Sequence, residues 1–201
     1  MNTSHPPKTT DVRESILAEG QRIVAGKGFS AVGINEVLAA AGVPKGSFYH
    51  YFGSKDAFGE ALLDQYFVEY LADIDTILRT PGMDMAQRLM RYWQSWQDNQ
   101  SFQDCQGKCL AVKLGAEVAD LSEAMRLALK RGTAAIIEKL SRAIEAGSKE
   151  GSLSIDGTPR DAAESLYQLW LGASVMVKIV RDVGPFETAL KRTYQTLHLS
   201  S

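Results

Sequence analysis

Apolar residues recur at helical spacing almost from end to end of this chain, and no run of five or more residues alternates as a half-buried strand would. That feature restricts the fold to all-α, with about nine helices. Ile16, Leu17, Ile23 and Val24 mark one face of a helix from about Asp11 to Lys27, closed by Gly26 and Gly28. A short helix follows over Ile34 to Ala41, and Pro44 suits the first position of a third. Ser54 is a good N-cap for a fourth, from Lys55 to about Thr80. Met85, Leu89, Tyr92, Trp93 and Trp96 share one face of a fifth. After a polar loop over Asn99 to Lys108, the spacing predicts helices over Cys109 to Ala119, Ser122 to Lys149, Pro159 to about Arg181, and Pro185 to about Leu199.

The character of these helices changes near residue 55. Short helices with tight turns precede it, and longer ones rich in Leu, Ala, Trp and Met follow. This predicts a small unit over residues 1–55 and a larger one over 56–201. The fourth helix would join them, since no Pro/Ser/Gly-rich linker intervenes. With 45% hydrophobic residues in 201, a substantial core is available and global disorder is excluded.

The net charge of −2 rules out a uniformly basic nucleic-acid coat but not a local basic face. Two cysteines make neither a disulfide scaffold nor a four-cysteine zinc site. His5, His50 and His198 are too dispersed to complete a mixed site. No cofactor or metal is expected. Met1 to Thr10 lacks the apolar run of a signal peptide. Ser165 to Val177, the longest uncharged apolar stretch, is too short to span a bilayer, so no membrane partner is expected and the default compartment is the cytoplasm.

Residues 34–55 read INEVLAAAGVPKGSFYHYFGSK. Two short helices joined by a turn with a central glycine form a helix-turn-helix. Phe48 and Phe52, four apart, would pack inward. Lys45, Gly46, Tyr49 and His50 would form a contiguous polar face, able to enter a major groove. Lys55, at the start of the next helix, offers a charge for a phosphate. Residues 1–60 hold six basic and six acidic side chains, so charge alone does not separate a DNA binder from a compact subdomain with a solvated face.

The stretch from Ala39 to Lys55 resembles the helix-turn-helix signature of the TetR family of bacterial repressors, in the turn glycine, the aromatics of the second helix and the closing Ser54-Lys55. That resemblance implies a homodimer on a double-stranded DNA operator of two-fold symmetry, with a C-terminal domain that binds a small molecule and releases DNA. It also implies groove and backbone contacts from Lys45, Gly46, Ser47, Tyr49 and His50, and a phosphate contact from Lys55. Many members carry Thr or Ser where this chain has Gly33. There a backbone N–H must serve in place of a hydroxyl.

Cys105 and Cys109 lie in DCQGKCLAVKLGAEVADLSEAMR. Cys109 falls at the first turn of a predicted helix, whose N–H groups, with Lys108 and Lys113, would push the thiol pKa down. Cys105, in the preceding loop, is near enough in sequence for a resolving role. From the residues alone, a small, buried and inert core residue is the preferred reading of Cys109. The run Gly107 to Leu114, with Ala116-Glu117-Val118 and Asp120-Leu121-Ser122, resembles the N-ethylmaleimide-reductase repressor branch of the TetR family. So does Leu169 to Ala173 followed by Lys178. This resemblance implies that Cys109 senses electrophiles and oxidants. Lys178, interrupting an apolar helical face, is either a snorkelling side chain or a group that approaches Cys109. Tyr92, Trp93, Trp96, Phe102, Tyr167 and Trp170 could line a ligand pocket, and helical spacing favours core packing for most of them.

The expected function is therefore a DNA-binding repressor released by chemistry at Cys109, the fourth helix carrying the shift to the DNA-binding unit. Two alternatives stand beside it: induction by reversible binding of an unreactive ligand, and a cysteine-dependent enzyme. The enzyme lacks a nearby base in sequence.

Overall fold

The computed structural model describes residues 9–99 and 109–199. Nine helices account for the regular structure among them: α1 (Thr9–Lys27), α2 (Ile34–Ala41), α3 (Lys45–Tyr51), α4 (Lys55–Leu78), α5 (Met85–Asn99), α6 (Leu110–Ala119), α7 (Glu123–Glu150), α8 (Pro159–Val180) and α9 (Gly184–Thr196). The ends lie within a few residues of those expected because local caps set them. Ser54, Ser122 and Thr158 each accept a hydrogen bond from a first-turn N–H of α4, α7 and α8. Gly42, at φ +67°, closes α2 while the Val43 N–H reaches back to Leu38 O at 3.0 Å. Pro44 sits one residue earlier than expected, as the extended N-cap of α3 rather than its first residue.

α1, α2 and α3 close around the N-terminal turns of α4. Phe48, Phe52 and Phe58 form a triangle with ring centroids 5.3–5.5 Å apart. α4 then runs unbroken into the larger unit, a length of about 36 Å at 1.5 Å per residue. There it packs along α7, where Gly132 leaves room for the Phe67 ring. A Cβ at that position would stand 2.1 Å from the ring. Lys139 pairs with Asp75, and Arg131 pairs with Glu60 and Asp64, on the same seam.

The far side is an aromatic core between α5, α8 and α9. Trp93 stacks on Trp170 at 5.0 Å, and Trp170 stacks on Phe186 at 5.7 Å. Their polar edges are satisfied in part. Trp96 Nε1 donates to Ser174 Oγ and Trp170 Nε1 donates to Thr193 Oγ1. The last turns of α8 leave Val175, Met176, Ile179 and Val180 exposed, as is Val183 in the turn after it, an apolar end uncovered among the described residues.

Candidate nucleic-acid interface and sensing cavity

α3 presents the expected surface. Phe48 and Phe52 are buried, and this orients Lys45, Gly46, Tyr49 and His50 outward, with Ser47 half-buried between the two sides. The Tyr49 side chain is held edge-on against Phe48, and His50 edge-on against Tyr51. Gly33 is the extended N-cap of α2 with no side-chain cap, and it is exposed. Lys55 is engaged locally. Its ammonium lies 4.9 Å above the Phe29 ring and donates to Ser30 O at 3.4 Å. This lysine therefore braces the α1–α2 loop as well as standing at the N-terminus of α4.

The opposite side of that loop is gripped from α6. Glu117 accepts hydrogen bonds from Ser30 N at 2.6 Å and Phe29 N at 3.2 Å, and Lys113 Nζ donates to Gly26 O at 3.2 Å. Gly28 makes the approach possible. Its φ is +85°, and a Cβ there would lie 2.7 Å from the Glu117 carboxylate. Burial alone would raise the Glu117 pKa, but the donors from Ser30 and Phe29 outweigh it and hold the carboxyl below its usual range.

Cys109 is the N-cap of α6 and is 6% exposed. Burial pushes its thiol above the ordinary value. The Tyr66 hydroxyl, the N–H groups of Val112 and Ala111, and the charge of Lys178 pull it back only in part. The expected lowering is thus overturned in its net sign. The helix N–H effect is real, but desolvation exceeds it, and the Lys113 ammonium reaches Gly26 rather than the sulfur. Lys178 lies on the exposed side of α8 and acts on Cys109 through its field. Cys105, Phe102 and Lys108 lie outside the described residues.

A thiol raised in this way is protonated at neutral pH, and the thiolate is the nucleophile. Alkylation of Cys109 should therefore climb about tenfold per pH unit from 7 to 9 without levelling off. Mass spectrometry resolving the two cysteine peptides measures this profile, and a plateau below pH 8 would contradict the burial described here.

Cys109 borders a cavity of about 850 Å³ between α1, α4 and α5. Tyr66, Tyr70, Tyr92 and Trp96 form its aromatic wall, with Ile74 and Ile77 beside them. Tyr92 and Trp96 thus serve both core and cavity. Trp93, Tyr167 and Trp170 belong to the buried core, as spacing indicates. Glu117, Tyr66 and Tyr70 went unflagged in the sequence reading. The two tyrosines are four apart on α4, a hydroxyl-bearing stripe on a face otherwise apolar, and that was the available signal.

A model of bacterial regulatory proteins of the tetR family matches residues 16–62, and one of the tetracyclin repressor-like C-terminal domain matches residues 86–193. The chain belongs to the TetR family. The N-terminal TetR match contains α2, α3 and the first turns of α4, and the C-terminal match begins in α5. Within the family, the chain is 41% identical over 180 residues to the HTH-type transcriptional repressor NemR of Escherichia coli (strain K12), covering 90% of each. It is 30% identical over 188 residues to the HTH-type transcriptional repressor DhaR of Mycobacterium sp. (strain GP1), covering 94% of this chain and 93% of that protein. The crystal structure of E. coli NemR in its reduced form superimposes with a TM-score of 0.85 at 41% identity, over 93% of this chain and 98% of that one. Among the described residues, no helix is long and apolar enough to cross a membrane.

Proposed function

We propose that this chain is a DNA-binding transcriptional repressor, acting as a homodimer on a two-fold symmetric operator and released when an electrophile or oxidant modifies Cys109. Relatives described as repressors support the first part. The exposed α3 face supports DNA contact through Lys45, Gly46, Ser47, Tyr49 and His50, with Gly33 and Lys55 beside it. The exposed apolar end of α8, together with α9, suits pairing with a second copy in a four-helix interface.

One observation carries the sensing reading. Cys109 caps the helix whose Glu117 holds the α1–α2 loop and whose Lys113 holds the last turn of α1. An adduct on a buried N-cap displaces α6, and α6 draws the DNA-binding unit with it. α4, the helix first expected to carry the shift, acts as the hinge. Half-sites lie about 34–36 Å apart for one DNA turn, so a modest change in the separation of two recognition helices weakens binding.

The cavity also favours a second reading, in which an unreactive ligand filling it induces release. Operator gel shifts with and without N-ethylmaleimide separate the two, run on wild type, Cys109→Ser and Cys105→Ser, with mass spectrometry of both thiols. On the cysteine reading, wild type leaves DNA on modification and Cys109→Ser does not. Normal release of Cys109→Ser would leave only the reversible-ligand reading.

A further inference from the structure

The raised Cys109 thiol makes intrinsic nucleophilicity a poor basis for sensing. Whatever rate advantage the site has must come from holding a reagent beside the sulfur. The cavity next to Cys109 is built to hold one. Its volume of about 850 Å³ fits a small organic molecule. Tyr66 and Tyr70 stack at 5.7 Å, and Trp96 stands edge-on to Tyr92 at 6.1 Å, so the walls suit a planar or apolar body.

A covered phenol lies beneath the sulfur. Tyr66 is 4% exposed, and its hydroxyl has no partner of full hydrogen-bond geometry among the described residues, although it lies near enough to the Cys109 sulfur to favour the thiolate. Tyr70 and Tyr92 already engage each other, Oη to Oη, at 3.2 Å. Burial keeps all three as neutral phenols, and the Tyr66 hydroxyl, itself covered, bears on the Cys109 sulfur rather than on the open cavity.

The rim has a definite sign. Glu69, Asp73 and Asp98 border the cavity from exposed positions on α4 and α5. Glu69 is steadied by Gln65 at 2.9 Å and Asp98 by Gln94 at 3.1 Å. Among the described lining residues the one cation, Arg22, is bound to Glu19 at 2.8 Å. The described lining residues therefore give the entrance a negative field. Lys178, on α8, acts on the sulfur through its charge and is not among the described residues lining the cavity.

We propose that this cavity selects its reagents by charge as well as shape: it admits uncharged and cationic α,β-unsaturated carbonyl compounds to Cys109 and turns away anionic ones. The proposal rests on the cysteine reading above and adds the class of compound to it. In the reaction, the sulfur bonds to the β-carbon, the C=C π pair shifts to the bond between the α-carbon and the carbonyl carbon, and the C=O π pair moves to the oxygen, giving an enolate. The thiol proton ends on the α-carbon, so S–H adds across C=C with no oxidant or reductant.

Three maleimides of similar intrinsic reactivity test this. N-ethylmaleimide is neutral, N-(2-aminoethyl)maleimide is cationic and 3-maleimidopropionate is anionic. Each rate at Cys109, read by peptide mass spectrometry, is divided by the rate with free cysteine. Three rim charges acting through water over several ångström should disfavour the anion about tenfold relative to the neutral compound, with the cation at least equal to the neutral one. High salt should shrink the ratio. The triple variant Glu69→Gln, Asp73→Asn, Asp98→Asn should bring it to about twofold.

Equal normalised rates in wild type, or an unchanged ratio in the triple variant, would overturn the proposal while leaving cysteine sensing intact. Charge-ordered modification with no loss of operator binding would leave the selectivity standing and remove the release reading. No reaction at Cys109 with any of the three would remove both.

Discussion

Replacing Glu117 with alanine should leave the protein folded and Cys109 open to alkylation, yet largely uncouple that alkylation from DNA release. The ratio of operator affinities before and after modification should fall to within about threefold of one, against a clear loss of affinity in wild type. The reasoning starts at the loop. Ser30 N and Phe29 N donate to one carboxylate, and hydrogen bonds to a charged acceptor contribute about 1.5–3 kcal/mol each when shielded and less where water competes. Glu117 is half-buried, so the lower end applies, and the two amides should exchange with solvent about tenfold faster in Glu117→Ala.

With the clamp gone, α6 can move on modification of Cys109 while the helix-turn-helix stays on the hinge of α4. Glu117→Gln, which keeps one acceptor oxygen and loses the charge, should fall between. The pH dependence follows from the lowered carboxyl. Its contribution is complete above the unfolded-state pKa and is lost only as pH falls through the lower folded value, so the clamp is intact at neutral pH. Hydrogen exchange of the two amides, with operator titrations before and after N-ethylmaleimide, checks each point. Undiminished release in Glu117→Ala would mean that α4 alone carries the signal.

Trp170→Ala should be the most damaging single change to stability, at about 3–5 kcal/mol. Trp170 is fully buried and lies between Trp93 at 5.0 Å and Phe186 at 5.7 Å. Truncation leaves a void that two rigid rings cannot close. Thr193 loses its indole donor but still bonds to Ala189 O at 2.9 Å, so the loss is mainly one of packing. For a domain of this size the penalty corresponds to a drop in Tm of about 6–20 °C, measurable by calorimetry. Trp170→Phe, which refills part of the space, should recover at least half of it. A loss below about 1 kcal/mol for the alanine variant would mean that α8 and α9 repack freely.

What could be read from the chain divides along the range of the forces involved. The helix-turn-helix was legible because its determinants are neighbours: Gly42 closing α2, Pro44 turning the chain, Phe48 and Phe52 four apart, Ser54 capping α4. Helix ends elsewhere were legible for the same reason.

Cys109 shows the limit. Its place at a helix start was legible, and so was the direction of the helix N–H effect. Desolvation, which decides the sign of its pKa, is set by the whole fold packed around it and no local pattern encodes it. Lys113 was credited to the thiol on helical spacing, but its ammonium is claimed by Gly26 O, a carbonyl in α1. Glu117 looked like an ordinary exposed helix residue until the fold brought it to Ser30.

The tryptophans of the aromatic core have a practical corollary. The chain contains three, Trp93, Trp96 and Trp170, and all belong to the one cluster of α5 and α8, while the helix-turn-helix contains none. Ultraviolet emission excited through indole therefore originates entirely from that region, and Trp96 is the emitter bordering the cavity. The molecule carries a built-in optical gauge of its sensing half, so filling of the cavity beside Trp96 can be followed by intrinsic emission without a label.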